Sequence, residues 1–428
     1  MTRLQLRDLA VDGRPRLKRF EDSESATQTL RHRAHAPRTA RAPVDDDDVE
    51  WPLAVSADRW IHDPILGGRR PGRKPRAVVG PGNEALNPSS RVSWSLRTVT
   101  HRTAGRARGS DSGPALEEAS SMQGRKWEIV GAPFDFGSEH RGTAKAPGAI
   151  RSAGLTRRVK HLRSLGIDIV DRGDVEAPVP GDPECLPKGL GEMREYAPAL
   201  VGRLRASLSK GTVPVVLGGD HSITIASVAA VAESLRERGK ETPSIGLLWV
   251  DAHPDFETPG PHGTNTLNAM PVTHIVGRDV GDLRTVPELA ASIQPGDLAF
   301  IGLRDVLTEE KRAIQELGIR AYTASDVDRL GIDTVCREAY AVVSEQTDAV
   351  VVSFDIDVLD PVFAPGVDYP ELGGLSTREG AVIMEHAHGL EALALVELVE
   401  VNPAKDRDRM TLRVSGQLLH RLIEGPLL

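Results

Sequence analysis

Three apolar runs end in acidic clusters, and this repetition constrains the fold more than any other feature of the chain. Val213–Leu217 leads into Gly218-Gly219-Asp220-His221-Ser222, and Ile245–Val250 into Asp251-Ala252-His253-Pro254-Asp255. Ala349–Ser353 leads into Phe354-Asp355-Ile356-Asp357. Continuous runs of this kind read as buried parallel strands. In open α/β sheets, sites form outside the carboxyl ends of the strands. If the three ends converge, they gather two imidazoles and four carboxylates. That many carboxylates cannot sit together ionised without cations, and a pair of divalent metals is the simplest partner.

The alternation continues on both sides of these runs. Predicted strands are Trp127–Val130, Ile167–Val170, Val213–Leu217, Ile245–Val250, Leu298–Gly302, Val350–Phe354 and Leu393–Val401. Predicted helices include Ile223–Gly239, Glu309–Leu317 and Thr377–His388, the last with Ser376 as N-cap and an acid three residues on. Such a pattern implies an α/β fold with a mostly parallel sheet covered on both faces. Lys188-Gly-Leu-Gly191 is too short for a phosphate loop and reads as a turn.

Residues 1–121 differ in character. They are rich in Arg, Pro, Ser and Asp, with the run Asp45–Asp48 and basic clusters at Arg69-Arg70 and Arg73-Lys74. A segment of this composition cannot bury enough apolar surface to offset its ordering entropy. The expectation is a disordered, low-complexity extension before a catalytic domain of residues 122–428. Acids at Asp8, Asp12, Glu21, Asp22 and Glu24 fit a transit peptide poorly. Two other readings stay open: a start at Met122, and a basic interaction arm.

The 428 residues carry a formal charge of -8, which argues against nucleic acid as a partner. No apolar run reaches the length of a membrane span. Cys185 and Cys336 form no CxxC pair, so a reducing, cytoplasmic setting is expected.

Asp251-x-His253-x-Asp255 would point three ligands one way if the segment is extended, and Asp355-x-Asp357 follows the same logic. With His221, the set offers four oxygens and two nitrogens, which suits Mn²⁺ better than zinc. Each segment alone has an ordinary reading, as a capped turn, a solvated loop or an acidic turn ended by Pro361. Their joint occurrence is what points to metal. His161, His274, His386, His388 and His420 read as surface or packing residues.

These segments resemble the metal-binding signature of the ureohydrolase family of arginases, agmatinases, guanidinobutyrases and formiminoglutamases. The resemblance runs from about residue 127 to the C-terminus. It includes Gly137–Gly142, Ala146–Arg151, Ile301–Asp305, Gly373-Gly-Leu375 and Val399-Glu-Val-Asn-Pro403. Asp326–Ile332 and the Phe256-x-Thr258-Pro259 loop lean towards the arginase branch.

The resemblance implies a three-layer α/β/α arginase-like fold, assembled as a homotrimer or homohexamer. It implies two Mn²⁺ per subunit: one on His221, Asp251, Asp255 and Asp355, the other on Asp251, His253, Asp355 and Asp357. Asp251 and Asp355 would bridge. A hydroxide held between the ions would attack a guanidinium carbon, giving urea and an amine. Asp255 would relay its proton, and Glu400 would pair with the guanidinium. Arginine is the first substrate to expect.

The substrate loop departs from the arginase pattern. Glu257 stands where an Asn normally receives the substrate's α-carboxylate. Asn268 stands where a His is thought to shuttle protons, and Asn cannot do so. In a second register, His262-Gly263-Thr264 resembles the His-Gly-Thr of agmatinases. His262 would then be the shuttle, Thr264 would face substrate, and a carboxylate-free substrate would tolerate Glu257. Tyr369 lies in another substrate-loop segment, where its bulk would narrow the pocket. Two further classes stay open: a hydrolase of a formimino group or N-hydroxylated guanidine, and a metal-retaining homologue without turnover.

Overall fold

The computed structural model describes residues 124–181, 185, 187–259, 264–278, 280–281 and 283–426. The expectations for residues 1–121 and for His262 lie outside the described residues.

Eight strands form one parallel sheet. They are β1 (Lys126–Gly131), β2 (Ile169–Asp174), β3 (Thr212–Leu217), β4 (Ile245–Val250), β5 (Leu298–Leu303), β6 (Arg320–Thr323), β7 (Ala349–Asp355) and β8 (Leu393–Val399). Their order is β2-β1-β3-β8-β7-β4-β5-β6, and every pairing is parallel. The central strands are mostly apolar because helices cover both faces, with Glu397 of β8 and Ser353 and Asp355 of β7 as exceptions.

Eight of the helices matter here: α1 (Thr156–Ser164), α2 (Leu190–Leu208), α3 (Thr224–Glu237), α4 (Thr308–Leu317), α5 (Ala324–Leu330), α6 (Ile332–Ser344), α7 (Thr377–Gly389) and α8 (Met410–Glu424). Leu247 and Trp249 of β4 pack in the core with α2, α3 and α4. Leu248 and Val250 pack in the opposite core with α1, α6, α7 and α8. The alternation is the pleat of the strand, and the result is three layers, α/β/α.

Boundaries differ from expectation where an edge or a site intervenes. Ile167 lies in the turn after α1, and β2 continues through Asp171–Asp174. Those acids are tolerated because β2 is an edge strand and Arg151 pairs with Asp171 and Asp174. The unforeseen β6 is the opposite edge, four residues long and half polar. β8 stops at Val399 because Glu400 turns into the left-handed region, at φ 61°. Ser376 caps α7 as expected, accepting the Glu379 N–H while Glu379 accepts that of Ser376. Lys188 and Gly189 turn into α2, with Gly189 at φ 84°, while Leu190 and Gly191 already belong to the helix.

Candidate active site

Four adjacent central strands, β3, β8, β7 and β4, end at the same place. His221 follows β3 at the head of α3. Asp220 caps that turn, accepting the Ser222 N–H. The turn is tight: a Cβ on Gly219 would sit 1.7 Å from the Phe134 carbonyl oxygen. Only glycine permits that approach.

His221 Nδ1 lies 3.0 Å from Asp251 Oδ2, 3.2 Å from Asp255 Oδ2 and 3.1 Å from Asp355 Oδ2. His253 Nδ1 lies 3.4 Å from Asp251 Oδ1 and 3.2 Å from Asp357 Oδ2. The two oxygens of Asp251 therefore face different imidazoles. Two groups of possible ligands result, His221–Asp251–Asp355 and Asp251–His253–Asp357. Asp251 is the residue they share, while Asp355 belongs to the first group and caps the turn to Asp357 through its Oδ1.

The segment after β4 is not extended. It bends at once, and Asp255 lies in the left-handed region at φ 46°. Alternation along a strand therefore does not explain the convergence of Asp251, His253 and Asp255. Backbone bends do: the His253 N–H donates to Asp251 Oδ1 at 2.7 Å. Glu310 accepts the Phe256 N–H at 3.0 Å and holds the loop beyond. Left-handed backbone at a non-glycine residue costs about 1–3 kcal/mol and gathers at functional sites. Among the described residues it falls on Asp255 and Glu400 at the site, and on Asp408 and Arg409 at the entry to α8.

The electrostatics favour a cation among these residues. Burial pushes Asp255 up to about 7, reinforced by Asp251. Burial also raises Asp355, helped by Asp357 and Asp251. Burial opposes charge on His221, yet the carboxylates of Asp251, Asp255 and Asp355 push it well above its ordinary range. Protons are thus held where cations would otherwise balance the acids. The buried His221 Nδ1 meets no hydrogen-bond partner of good geometry. The donor set fits a pair of divalent ions.

Glu400 Oε1 accepts the backbone N–H of His221 at 2.8 Å. Its Oε2 is buried without a partner, and burial together with Asp220 raises its pKa well above the carboxylate range. Beside the ligands opens a cleft of about 300 Å³, lined among others by His253, Asp255, Glu257, Thr264, Asn268 and Tyr369. Asn268 is 7% exposed and its Oδ1 has no partner. The Thr264 N–H donates to Glu257, whose pKa is raised chiefly by burial and also by Asp305. The Tyr369 ring lies edge-on to His253 with centroids 6.4 Å apart.

A family model described as the Arginase family matches residues 125–424. This chain belongs to the arginase family. The arginase of Brevibacillus brevis is 35% identical over 307 residues, covering 71% of this chain and 99% of the relative. Arginase-1 of Rattus norvegicus is 35% identical over 285 residues, covering 64% of this chain and 84% of the relative. The solved structure of the Bacillus caldovelox arginase covers 71% of this chain and 100% of its own, with a TM-score of 0.63 and 34% identity. As an arginase-family member, the chain is a hydrolase acting on C–N bonds in linear amidines, of a family with a binuclear metal centre.

Several residues around the arginase-type centre escaped the reading of motifs. Trp249 stacks on His221, with centroids 3.9 Å apart, and its Nε1–H donates to Asp251 Oδ2 at 3.0 Å. Arg304 donates to the backbone carbonyls of Asp357 at 2.6 Å and Val358 at 3.0 Å, holding the turn that carries Asp357. Ser353 and Glu397 lie behind His221. Glu397 left one signal, an acid inside an otherwise apolar strand.

Proposed function

We propose that the protein is a dimanganese amidinohydrolase that cleaves a guanidino compound to urea and an amine, with arginine to ornithine as the first reaction to test. The observation that carries this reading is Asp251, whose two oxygens face His221 and His253. His221, Asp251, Asp255 and Asp355 would hold one ion, and Asp251, His253, Asp355 and Asp357 the other. Four oxygens and two nitrogens favour Mn²⁺ over zinc. When bound, such a pair makes water ionise near neutral pH and aligns it for attack.

The chain's own residues supply the rest. Glu400 Oε2, buried and unpartnered, receives the guanidinium N–H groups in a charge-assisted contact. Because Oε1 is fixed on the His221 N–H, the bound guanidinium is oriented relative to the metal ligands. Asp255 takes a proton at its carboxylate and passes it to the departing amine. Asn268 cannot shuttle protons, so that role falls to His262 if to any side chain of this loop.

A second reading concerns the substrate's tail. Glu139, Glu257 and Asp305 line the cleft, and no Lys or Arg does so among the described residues. The unpartnered Asn268 Oδ1 also asks for a donor. A tail ending in an amine, as in agmatine, suits these walls better than one ending in a carboxylate.

The reading extends to residues 122–428 as the catalytic domain, supported by the family match from residue 125. It also extends to a cytoplasmic homotrimer or homohexamer, supported by the free thiols of Cys185 and Cys336 and by family resemblance. Among the described residues no helix is long and apolar enough to cross a membrane. The test is urea release by Mn²⁺-loaded protein from arginine, agmatine, 4-guanidinobutyrate and N-hydroxyarginine, with formiminoglutamate assayed for formamide. Silence across this panel with two ions bound would reject the proposal.

A further inference from the structure

Glu397 is fully buried in the middle of β8. No cation pairs with it among the described residues. Its Oε1 accepts the hydroxyls of Ser353, at 2.7 Å, and of Thr224. Its Oε2 accepts the hydroxyl of Ser227 at 2.6 Å. Burying a carboxylate on neutral donors alone is costly, whereas an apolar side chain would fill this place as Leu395 and Val399 do on the same face of β8. Packing gives no reason for an acid there.

Ser353 joins this acid to the metal centre. Its Oγ lies 2.7 Å from His221 Nε2. A serine hydroxyl has one proton. Given to Glu397, that proton leaves the Ser353 oxygen as an acceptor, so the imidazole must carry its hydrogen on Nε2. In the neutral ring that a metal would require, Nδ1 is then the lone-pair nitrogen, and it is Nδ1 that faces Asp251, Asp255 and Asp355. Trp249 fixes the ring plane from its face, at an interplanar angle of 10°.

We propose that Ser353 and Glu397 are positioning residues that set the tautomer and orientation of His221, so that Nδ1 is presented to the ion. This inference rests on the reading of His221 as a metal ligand. Histidine ligands commonly donate their other N–H to an oxygen that fixes the tautomer, and loss of that partner costs about 10–100-fold in metal affinity. Here the partner is a hydroxyl held in place by a carboxylate behind it.

The test is calorimetric titration of the metal-free full chain with Mn²⁺. His221→Ala identifies which of the two binding steps belongs to His221. Ser353→Ala and Glu397→Gln are then expected to weaken that step by about 10–100-fold and to leave the other step unchanged. Ser227→Ala, which touches only the far oxygen of Glu397, is expected to change neither. With Zn²⁺ as a diamagnetic probe, the His221 Nε2–H resonance is slow to exchange in the wild type and shifts or exchanges in Ser353→Ala and Glu397→Gln. Normal affinity for both ions in these two variants overturns the inference alone. Equal weakening of both steps together with a lowered Tm also overturns it, because it marks general destabilisation. A wild type that binds no Mn²⁺, or a His221→Ala variant that keeps both steps, overturns the metal-centre reading and this inference with it.

Discussion

Glu400 Oε1 and the backbone N–H of His221 lie 2.8 Å apart in one hydrogen bond. The bond ties the end of β8 to the end of β3 across the site. It also divides the labour of one carboxylate, since one oxygen is spent on the scaffold and the other is left for a ligand.

Glu400→Gln keeps the shape and removes the charge. A hydrogen bond to a charged group is worth about 1.5–3 kcal/mol, so kcat/KM is expected to fall by about 10–200-fold. Metal content measured on the same preparation is expected to stay at two ions per subunit. An unchanged kcat/KM would remove Glu400 from the guanidinium site.

Asp251→Ala removes the residue that both ligand groups share. Both ions are expected to be lost or bound weakly, with urea release abolished. Chelation of the wild type is expected to lower its Tm as well, because ligands that bind only the folded state stabilise it. Elemental analysis and a melting curve check the pair of effects. Retention of two tight ions by Asp251→Ala would show that the groups do not form one centre.

Glu257→Asn tests the wall of the cleft. A carboxylate facing another at a few ångströms near a surface costs a few kcal/mol. The variant is therefore expected to gain on arginine relative to agmatine, by about tenfold or more in the ratio of kcat/KM values. The ratio is the measurement that matters, because it cancels changes in folded fraction. A ratio that stays put would mean that Glu257 does not meet the tail.

His388 gives a pH prediction away from the site. Burial lowers its pKa, with Arg125 adding to the effect, while its Nδ1–H donates to the Leu422 carbonyl at 2.9 Å. The folded state thus releases a proton that the unfolded chain holds near pH 6.5. Its contribution to stability is fully present above that value and is lost as pH falls towards the lower folded pKa. The stability difference between wild type and His388→Asn is expected to shrink between pH 7.5 and 5.5 in denaturant titrations. A constant difference would contradict the depressed pKa.

The central sheet and the acids and histidines beyond its strand ends were legible because β3, β4 and β7 are largely apolar runs with those residues close after or at their ends. Ile245–Val250 is the clearest case, with strand and prediction coinciding. The path of the chain after the strand was not legible. Asp251, His253 and Asp255 suggested extended spacing, yet their convergence depends on a left-handed residue and on a bond from Glu310, 55 positions beyond Asp255. Trp249 was hidden for a different reason. Its indole reads as core, and only the fold shows that its N–H reaches Asp251. Asn268 and Glu257 line one cleft, but part of its wall comes from Asp305 and Tyr369, distant in sequence.

The strand order has a consequence for biosynthesis. β8 is the last strand in the chain and sits between β3 and β7. Until it emerges from the ribosome, β2-β1-β3 and β7-β4-β5-β6 share no strand neighbour. His221 then belongs to one half-sheet, and the other five assigned ligands to the other. A chain stopped short of residue 393 carries all six of these side chains yet lacks the strand that joins the two half-sheets. If these residues hold metal as proposed, a two-ion site would have to wait for β8, because until then His221 and the other five residues lie in separate half-sheets.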